Sequence, residues 1–463
     1  GYAFAEVKGV TEINAQDNTT KLLFYIDPGT RAYVRRIEFR GNTKTMDEVL
    51  RREMRQLEGA TASTEKIERS KNRLKRIGYF KSVESETRPV PGVSDQIDVF
   101  YTVEEQPSGS VGASLGFAQT YGVTLGANIA ENNFLGTGNR LKLGLNQSGF
   151  QTNLNLNYSD PYFTTDGVSA GFMVFAKKQD FEEGNLSNYT TESMGASTTF
   201  GYPITENQSI GFGLGYENLE LDSGGYFKTR LMEEFLDEEG NDYHMFTSNV
   251  SWGISSLNGS GNDATRGQAH KISAEVTLPI GDLNYYKFNY DGQFFHSLTD
   301  DLVLHLHANG GYGDGYMDTD GLPFFKNFYS GGNGSVRGFE QNTLGPKDIP
   351  ITPGYEDEAD AFGGNVVIEG TAELLFPMPF LKDKNMVQMA LFFDAGNVFD
   401  TDCGNISDDF CQEPDISDLR YSVGIGGTWK SSFGPISVSF ASPFNTGKED
   451  EKETFQFNMG GGF

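Results

Sequence analysis

Residues 153–158 read Asn153-Leu154-Asn155-Leu156-Asn157-Tyr158. Every second side chain is apolar or aromatic and the others are amides. That is the period of a β-strand with one face in an apolar medium and the other in water. The alternation recurs on both sides of this stretch. Leu141, Leu143 and Leu145 alternate with Arg140, Lys142 and Gly144. Ile272, Ala274, Val276 and Leu278 alternate with Lys271, Ser273, Glu275 and Thr277, and Leu302, Leu304 and Leu306 with Val303, His305 and His307. Segments of about ten residues divided by turn residues run from Val111 to Phe463. A soluble β-sandwich also alternates. It rarely sustains the pattern over about 350 residues with so few helices and with aromatics at strand ends. We therefore expect an antiparallel transmembrane β-barrel of about sixteen strands. They begin near Ser110, Tyr121, Asn139, Gln151, Val168, Thr190, Gln208, His244, Gln268, Tyr285, Asp301, Gly364, Asn385, Leu419, Pro435 and Glu453. Long connections are expected at Leu219–Tyr243, Tyr312–Gly363 and Asn397–Asp418.

Composition fits this expectation. The 463 residues carry a net charge of -28, which disfavours nucleic-acid binding. Mean hydropathy is -0.44, and no run approaches the ~18 apolar residues of a transmembrane helix. Alternating barrel strands score low on average hydropathy while crossing a membrane. The chain has 57 Gly, 37 Phe and 21 Tyr; glycine loosens tight strand packing, and aromatics form girdles at both membrane interfaces. No signal peptide opens the sequence, and Gly1 lies inside a structured pattern, so a mature or shortened chain is expected.

Residues 28–106 follow a different grammar, β-α-α-β-β. Ala32–Phe39 reads as a strand ending in the turn Gly41-Asn42. Thr45 is expected to cap a helix over Met46–Gln56, with Glu48 as its capping-box partner. Ser63 or Thr64 caps a second helix through Ile77, which Gly78 stops. Val49 and Leu50 on the first helix, and Ile67, Leu74 and Ile77 on the second, form apolar stripes. Strands near Lys81–Arg88 and Ile97–Val103 follow. Gly1-Tyr2-Ala3-Phe4 with Lys21–Ile26 echoes Gly78-Tyr79-Phe80 with Ile97–Val103. Residues 1–27 are therefore expected to be the last hairpin of an upstream copy of the same domain.

The longest connection, about 313–363, contains the stretch FYSGGNGSVRGFEQNTLGP, with Val336-Arg337-Gly338-Phe339 at its centre. Placed between the eleventh and twelfth strands, it resembles the sixth-loop signature of the BamA family of outer-membrane assembly factors, part of a larger superfamily of two-partner and assembly transporters. The β-α-α-β-β module resembles the POTRA domain of those proteins, including Leu50–Gly59 (LRREMRQLEG) and Arg76–Phe80 (RIGYF). The terminal TFQFNMGGGF, Thr454–Phe463, ends in Phe as outer-membrane strands commonly do. The resemblance covers essentially the whole chain. It implies an outer-membrane barrel at 107–463, a periplasmic POTRA domain, and short barrel connections on the periplasmic side. It also implies the folding and insertion of other barrel proteins. A POTRA-containing secretion pore that exports a partner polypeptide is the alternative, and a passive porin is disfavoured. An enzyme is not expected: no Ser-His-Asp arrangement, P-loop or zinc-protease motif appears. No cofactor is expected, and no nucleic acid among the partners, which would be unfolded barrel clients, periplasmic accessory lipoproteins and outer-membrane lipids.

Several residues are expected to carry this function. A loop of about 50 residues is longer than a connection needs, and Arg337, if folded into the lumen, requires carboxylates. Strand parity turns Glu369, Glu373 and Asp394 inward. The resemblance implies that those matching Glu373 and Asp394 hold the arginine, with Val336, Gly338 and Phe339 completing the lock. A closed barrel offers no edge to a client strand. A seam between the first and last strands is therefore expected to open, weakened at Gly112 and Gly116 of a short first strand, Ser110–Gln119, and at Gly460, Gly461 and Gly462 before Phe463. By parity Phe455, Phe457 and Met459 face lipid. From Gly29 to Lys81 there are fifteen Lys or Arg against seven Asp or Glu. This reads as a solvated face, or as a docking surface for anionic headgroups or an acidic accessory protein. Glu53 matches a family position at the contact with an accessory lipoprotein. Cys403 and Cys411 are expected to form a disulfide in an oxidising compartment. His305 and His307 read as a polar lumen pair rather than a metal site, since no third ligand is evident.

Overall fold

The computed structural model describes residues 6–14, 19–29, 31–224, 229–259, 263–351, 359–384, 386–403, 410–431 and 434–460. The expected Gly1–Phe4 motif, Gly461, Gly462 and Phe463 lie outside the described residues. The chain divides into two compact units, residues 1–110 with 130–141, and residues 111–129 with 142–463.

In the first unit, β1 (Glu6–Asn14) and β2 (Thr19–Asp27) form an antiparallel hairpin. The α+β module follows as β3 (Tyr33–Arg40), α1 (Asp47–Arg51), α2 (Thr64–Arg76), β4 (Phe80–Pro89) and β5 (Gln96–Glu105). Its sheet order is β3-β5-β4, with β3 parallel and β4 antiparallel to β5. The apolar stripes meet as expected: Leu50, Leu74, Ile97, Val99 and Tyr101 are buried in one core with Val34 and Ile37. Truncating a leucine such as Leu74 to alanine would cost about 2–5 kcal/mol. The Ser63 hydroxyl caps α2 by accepting the Lys66 N–H, and Gly78 follows the helix at φ 78°.

The first helix corrects its expectation. It spans Asp47–Arg51, its N-cap is Met46, and no side chain caps it. The Thr45 N–H donates instead to Glu105 Oε1 at 2.7 Å, and the Thr45 hydroxyl accepts from Asn133 Nδ2 at 2.8 Å. Beyond Arg51 the turn tightens, with the Glu53 and Met54 N–H groups donating to Leu50 O and Arg51 O at 3.2 and 3.1 Å, and the Arg55 N–H donates to the Ser70 hydroxyl at 2.8 Å.

The second unit holds the barrel. Its elements run β6 (Gly109–Ala118), β7 (Gly122–Phe134), β8 (Asn139–Gln147), β9 (Gln151–Asp160), β10 (Ser169–Asp180), β11 (Thr190–Thr205), β12 (Gln208–Asp222), α3 (Arg230–Glu239), β13 (Asp242–Ser255), β14 (Gly267–Thr277), β15 (Tyr285–Ser297) and β16 (Val303–Gly315). Short loop strands β17 (Gly338–Phe339), β18 (Lys347–Asp348) and β19 (Asp360–Ala361) follow. Then come β20 (Val366–Pro377), β21 (Val387–Phe399), β22 (Arg420–Ser431), β23 (Gly434–Phe444), β24 (Lys452–Glu453) and β25 (Phe455–Met459). Strands β6 to β16, β20 to β23 and β25 close a barrel of sixteen, and each begins within two residues of its expected start. β17 pairs with β24, and β18 with β19.

Parity sets the two faces. Leu156 and Val174 stand opposite each other and are 44% and 58% exposed. With Ile272, Ile368 and Leu391 they belong to an exposed apolar face of the kind lipid covers. No described helix is long and apolar enough to cross a membrane. The outward connections pack into an apolar cap. Met232 of α3, Phe324 and Phe325 of the long loop, and Tyr189, Tyr243 and Tyr285 share one buried cluster. Asp348 fixes α3 from the long loop by accepting the Leu231 and Met232 N–H groups at 3.1 and 3.3 Å.

Candidate functional site

The stretch Gly331–Phe339 is a tight fold that the sequence specifies locally. Gly331, Gly332, Gly334 and Gly338 have φ between 89° and 104°. The Ser335 hydroxyl accepts the Gly331 N–H at 2.8 Å, and the Gly332 N–H donates to Val336 O at 3.1 Å. Gly338 has a second reason to be glycine. Beyond its φ of 93°, a Cβ there would lie 3.1 Å from the Ala441 Cβ and 3.4 Å from Pro443 Cδ. Val336, Phe339 and Leu344 are almost fully buried together.

This fold presents Arg337 to the barrel wall. Arg337 Nε and Nη2 donate to the two oxygens of Asp394, each at 2.7 Å, and Nη1 donates to Glu373 Oε1 at 2.8 Å. The Arg337 backbone N–H adds a bond to Asp394 Oδ2 at 3.1 Å. Asp394 on β21 is 0% exposed, and the Arg337 and Glu373 side chains are 13% and 14% exposed. A planar fork matched to one carboxylate, with a second carboxylate on its free edge, is an arrangement lysine could not reproduce. The structure thus brings together Val336, Arg337, Gly338, Phe339, Glu373 and Asp394. Glu369 also accepts a bond, from Asn309 at 2.9 Å, but is no partner of Arg337.

Sequence reading missed two members of this lock. The guanidinium carbon sits 3.5 Å above the Phe392 ring, a cation–π contact. Its signal was present: Val387, Met389, Leu391 and Phe393 take the lipid face of β21, so Phe392 is a large aromatic on the wrong parity. Gly424 lies against the Phe392 ring, where any side chain would collide with it. His305 Nδ1 pairs with Glu373 Oε2 at 2.9 Å, and His307 Nε2 with Asp291 Oδ2 at 2.8 Å. Each imidazole is thus tied to a carboxylate, and no metal-binding group occurs among the described residues.

The seam is the second feature. Among the described residues β25 meets β6 through two register pairs, Asn458↔Ala118 and Met459↔Phe117. On its other side β25 pairs with β23 over five positions. Neighbours elsewhere share far longer ladders, such as thirteen positions between β15 and β16. The first strand has ten residues, Gly109–Ala118 against the expected Ser110–Gln119. Of the glycines assigned to the seam, Gly116 touches the last strand: a Cβ there would lie 2.8 Å from Met459 O. Gly112 faces the Asn128 side chain of β7 instead. Gly460 adopts φ 103° and donates its N–H to Pro435 O at 2.8 Å. Phe455 is 43% exposed and Gln456 buried, in line with the expected parity.

Cys403 and Cys411 are bonded across eight positions, with Cα atoms 5.6 Å apart. Glu53 sits otherwise than a surface contact residue would. Its side chain is 6% exposed and pairs with Arg73 at 2.7 Å, as an internal brace between the segment after α1 and α2.

Comparisons with known proteins agree with this geometry. The Omp85 superfamily domain matches residues 133–463, and the POTRA domain, described as a surface antigen variable number repeat, matches residues 32–106. The chain is 35% identical, over 99% of its own length, to the outer membrane protein assembly factor BamA of Neisseria meningitidis serogroup B. It is 26% identical, over 99% of its length, to the protein of the same name from Nitratidesulfovibrio vulgaris. It spans 60% and 55% of those relatives' lengths. Among solved structures, BamA from Haemophilus ducreyi lacking POTRA domains 1-3 superposes with a TM-score of 0.86 at 33% identity, covering 99% of this chain and 90% of that one. On these matches the chain belongs to the Omp85 superfamily.

Proposed function

We propose that this chain is the central component of a machine that folds barrel proteins and inserts them into the bacterial outer membrane, releasing them through the seam between β6 and β25. The barrel lies in the outer membrane and the POTRA domain in the periplasm. The observation that carries the reading is the two-pair seam. A barrel closed all round presents no edge, whereas parting β25 from β6 exposes β6 as a template. Val111, near the start of β6, is 82% exposed.

A client's terminal strand would pair with this edge by β-augmentation. Free energy comes from closing client backbone hydrogen bonds and burying its apolar face in lipid, so the step requires no nucleotide and no catalytic side chain. The lock at Arg337 holds the long loop against the inner wall. It thereby opposes an open conduit, which favours insertion over export of a polypeptide. Unfolded barrel proteins are the clients. The basic POTRA surface serves periplasmic accessory lipoproteins or anionic lipid headgroups, with Glu53 acting through the position of Arg73.

The test is a disulfide across the seam. Ala118→Cys with Asn458→Cys places cysteines at facing positions. Oxidised protein in phospholipid vesicles should fail to insert an unfolded barrel client and should recover on reduction. Full insertion activity with the seam quantitatively crosslinked would rule the gate out.

A further inference from the structure

The outer end of the seam is held by side chains where the backbone ladder stops. Gln119 follows β6 directly. Its Oε1 accepts the Phe457 N–H at 3.2 Å, the bond a neighbouring strand's carbonyl would otherwise supply. Its Nε2 donates to Glu453. Glu453 in turn accepts from Gln456 Nε2 at 3.4 Å, and the same Nε2 donates to Phe339 O at 2.8 Å. Glu453 also stands opposite Gly338 in the β17–β24 pair. A continuous hydrogen-bonded chain therefore leads from the first strand, through Glu453 and the last strand, to the loop segment that carries Arg337.

We propose that Gln119 and Glu453 form a side-chain latch that holds the outer end of the seam shut and ties its opening to the position of the long loop. The inference rests on the insertion reading and deepens it by naming what an incoming strand must displace. Gln119 is exposed, so its carboxamide is open to competition. Its single acceptor bond occupies a backbone N–H of β25 that the carbonyl of a strand entering between β6 and β25 can take over. Such an exchange costs little, because the N–H passes from one acceptor to another without being left unpaired. A ladder residue could not be replaced so readily, since its backbone bonds would have to break together. Release of Gln119 also removes a donor from Glu453, which weakens the β17–β24 contact and with it the seating of the loop. Gln119 and Glu453 are thus positioning residues for strand exchange.

The experiment measures the seam directly. Nitroxide labels at Leu115→Cys on β6 and Phe440→Cys on β23 report the seam width in lipid nanodiscs; Cys403 and Cys411 are bonded to each other and take no label. Gln119→Ala, and Gln119→Glu with its added repulsion toward Glu453, should lengthen and broaden the distance distribution. Glu453→Gln, which keeps an acceptor for Gln119, should leave it near that of the parent. Gln119→Ala combined with Glu453→Ala should open the seam no further than Gln119→Ala alone. In the opening variants, hydrogen exchange across residues 336–340 should rise about tenfold, the effect of one lost hydrogen bond to a charged group. Distances unchanged in both Gln119 variants, additive effects in the pair, or loop exchange that stays at the parent rate would each overturn the latch. The distances need no client. A seam that widens as expected in a protein whose crosslinked form still inserts clients would refute the insertion reading alone. A crosslink that blocks insertion, with distances insensitive to Gln119, would refute the latch alone.

Discussion

Replacing Arg337 with alanine removes three side-chain hydrogen bonds to two carboxylates, at 2.7, 2.7 and 2.8 Å, and the guanidinium stacked 3.5 Å above Phe392. Bonds to charged groups contribute about 1.5–3 kcal/mol each, so a simple sum would run to about 4.5–9 kcal/mol. That sum overstates the effect because the bonds share one charge. Breaking a buried pair from one side costs about 3–5 kcal/mol, most of it from the carboxylate left behind. Here each carboxylate keeps one partner: Asp394 retains the backbone N–H of residue 337, and Glu373 retains His305. The cost should therefore fall near the lower bound, about 3 kcal/mol, or roughly two orders of magnitude in the opening of the loop. Hydrogen exchange over residues 330–345 should speed up about a hundredfold in Arg337→Ala, while thermal melting of the barrel stays where it was. Arg337→Lys should fall between, since an ammonium cannot engage both oxygens of Asp394 and Glu373 at once. Exchange within twofold of the parent in Arg337→Ala, or additive effects of Arg337→Ala and Glu373→Gln, would refute the lock.

Other outcomes follow from the same structure. Labelling of denatured but unreduced protein should modify neither Cys403 nor Cys411, and reduction should loosen the outward loop with a loss of only about 2–3 kcal/mol locally. Gly116→Ala should widen the seam distance, because its Cβ meets the Met459 carbonyl, whereas Gly112→Ala meets an asparagine side chain that can move aside; equal effects would remove Gly116 from the seam. Burial disfavours the Glu105 charge, but the N–H groups of Thr45 and Lys44 and the hydroxyls of Thr43 and Thr45 outweigh it and hold its pKa down to about 2. Glu105 should therefore stabilise the POTRA domain above the ordinary carboxylate range and lose that contribution as the pH falls toward about 2. Glu105→Gln should lower the melting temperature at neutral pH and converge with the parent in acid, and a gap that persists at the lowest pH would contradict this. Glu53→Ala should remove the ion pair with Arg73 and destabilise α2; an unaltered melt would show that the brace contributes nothing.

What the sequence disclosed depended on the range of the interaction. Alternation along one strand is local, so all sixteen strands, and the inward turn of Glu369, Glu373 and Asp394, could be read from parity. Arg337 could be matched to its carboxylates because a confined cation demands them. Thr45-x-x-Glu48 has the form of a capping box, yet the cap does not form, because the Glu105 carboxylate takes the amides of residues 43–45. Sixty residues separate those partners, and no spacing rule reaches that far. Gln119 and Glu453 are 334 positions apart and meet only because the barrel closes in one register. Glu53 stands in a run of arginines that reads as a surface, and only the packing of α2 shows its carboxylate turned inward.

Strand length has a consequence for the lipid. β11 has sixteen residues, whereas β6, the first strand of the seam, has ten. At about 3.3 Å per residue and a tilt of about 40°, these cover heights of roughly 40 Å and 25 Å. A bilayer with a hydrocarbon core of about 30 Å is spanned on the first side and exceeds the wall on the other by about 5 Å. Lipids beside the seam must thin, tilt or expose headgroups to meet it. The bilayer is therefore already distorted at the place where a new strand would enter, and part of the work of opening a path through it is done by the shape of the wall before any client arrives.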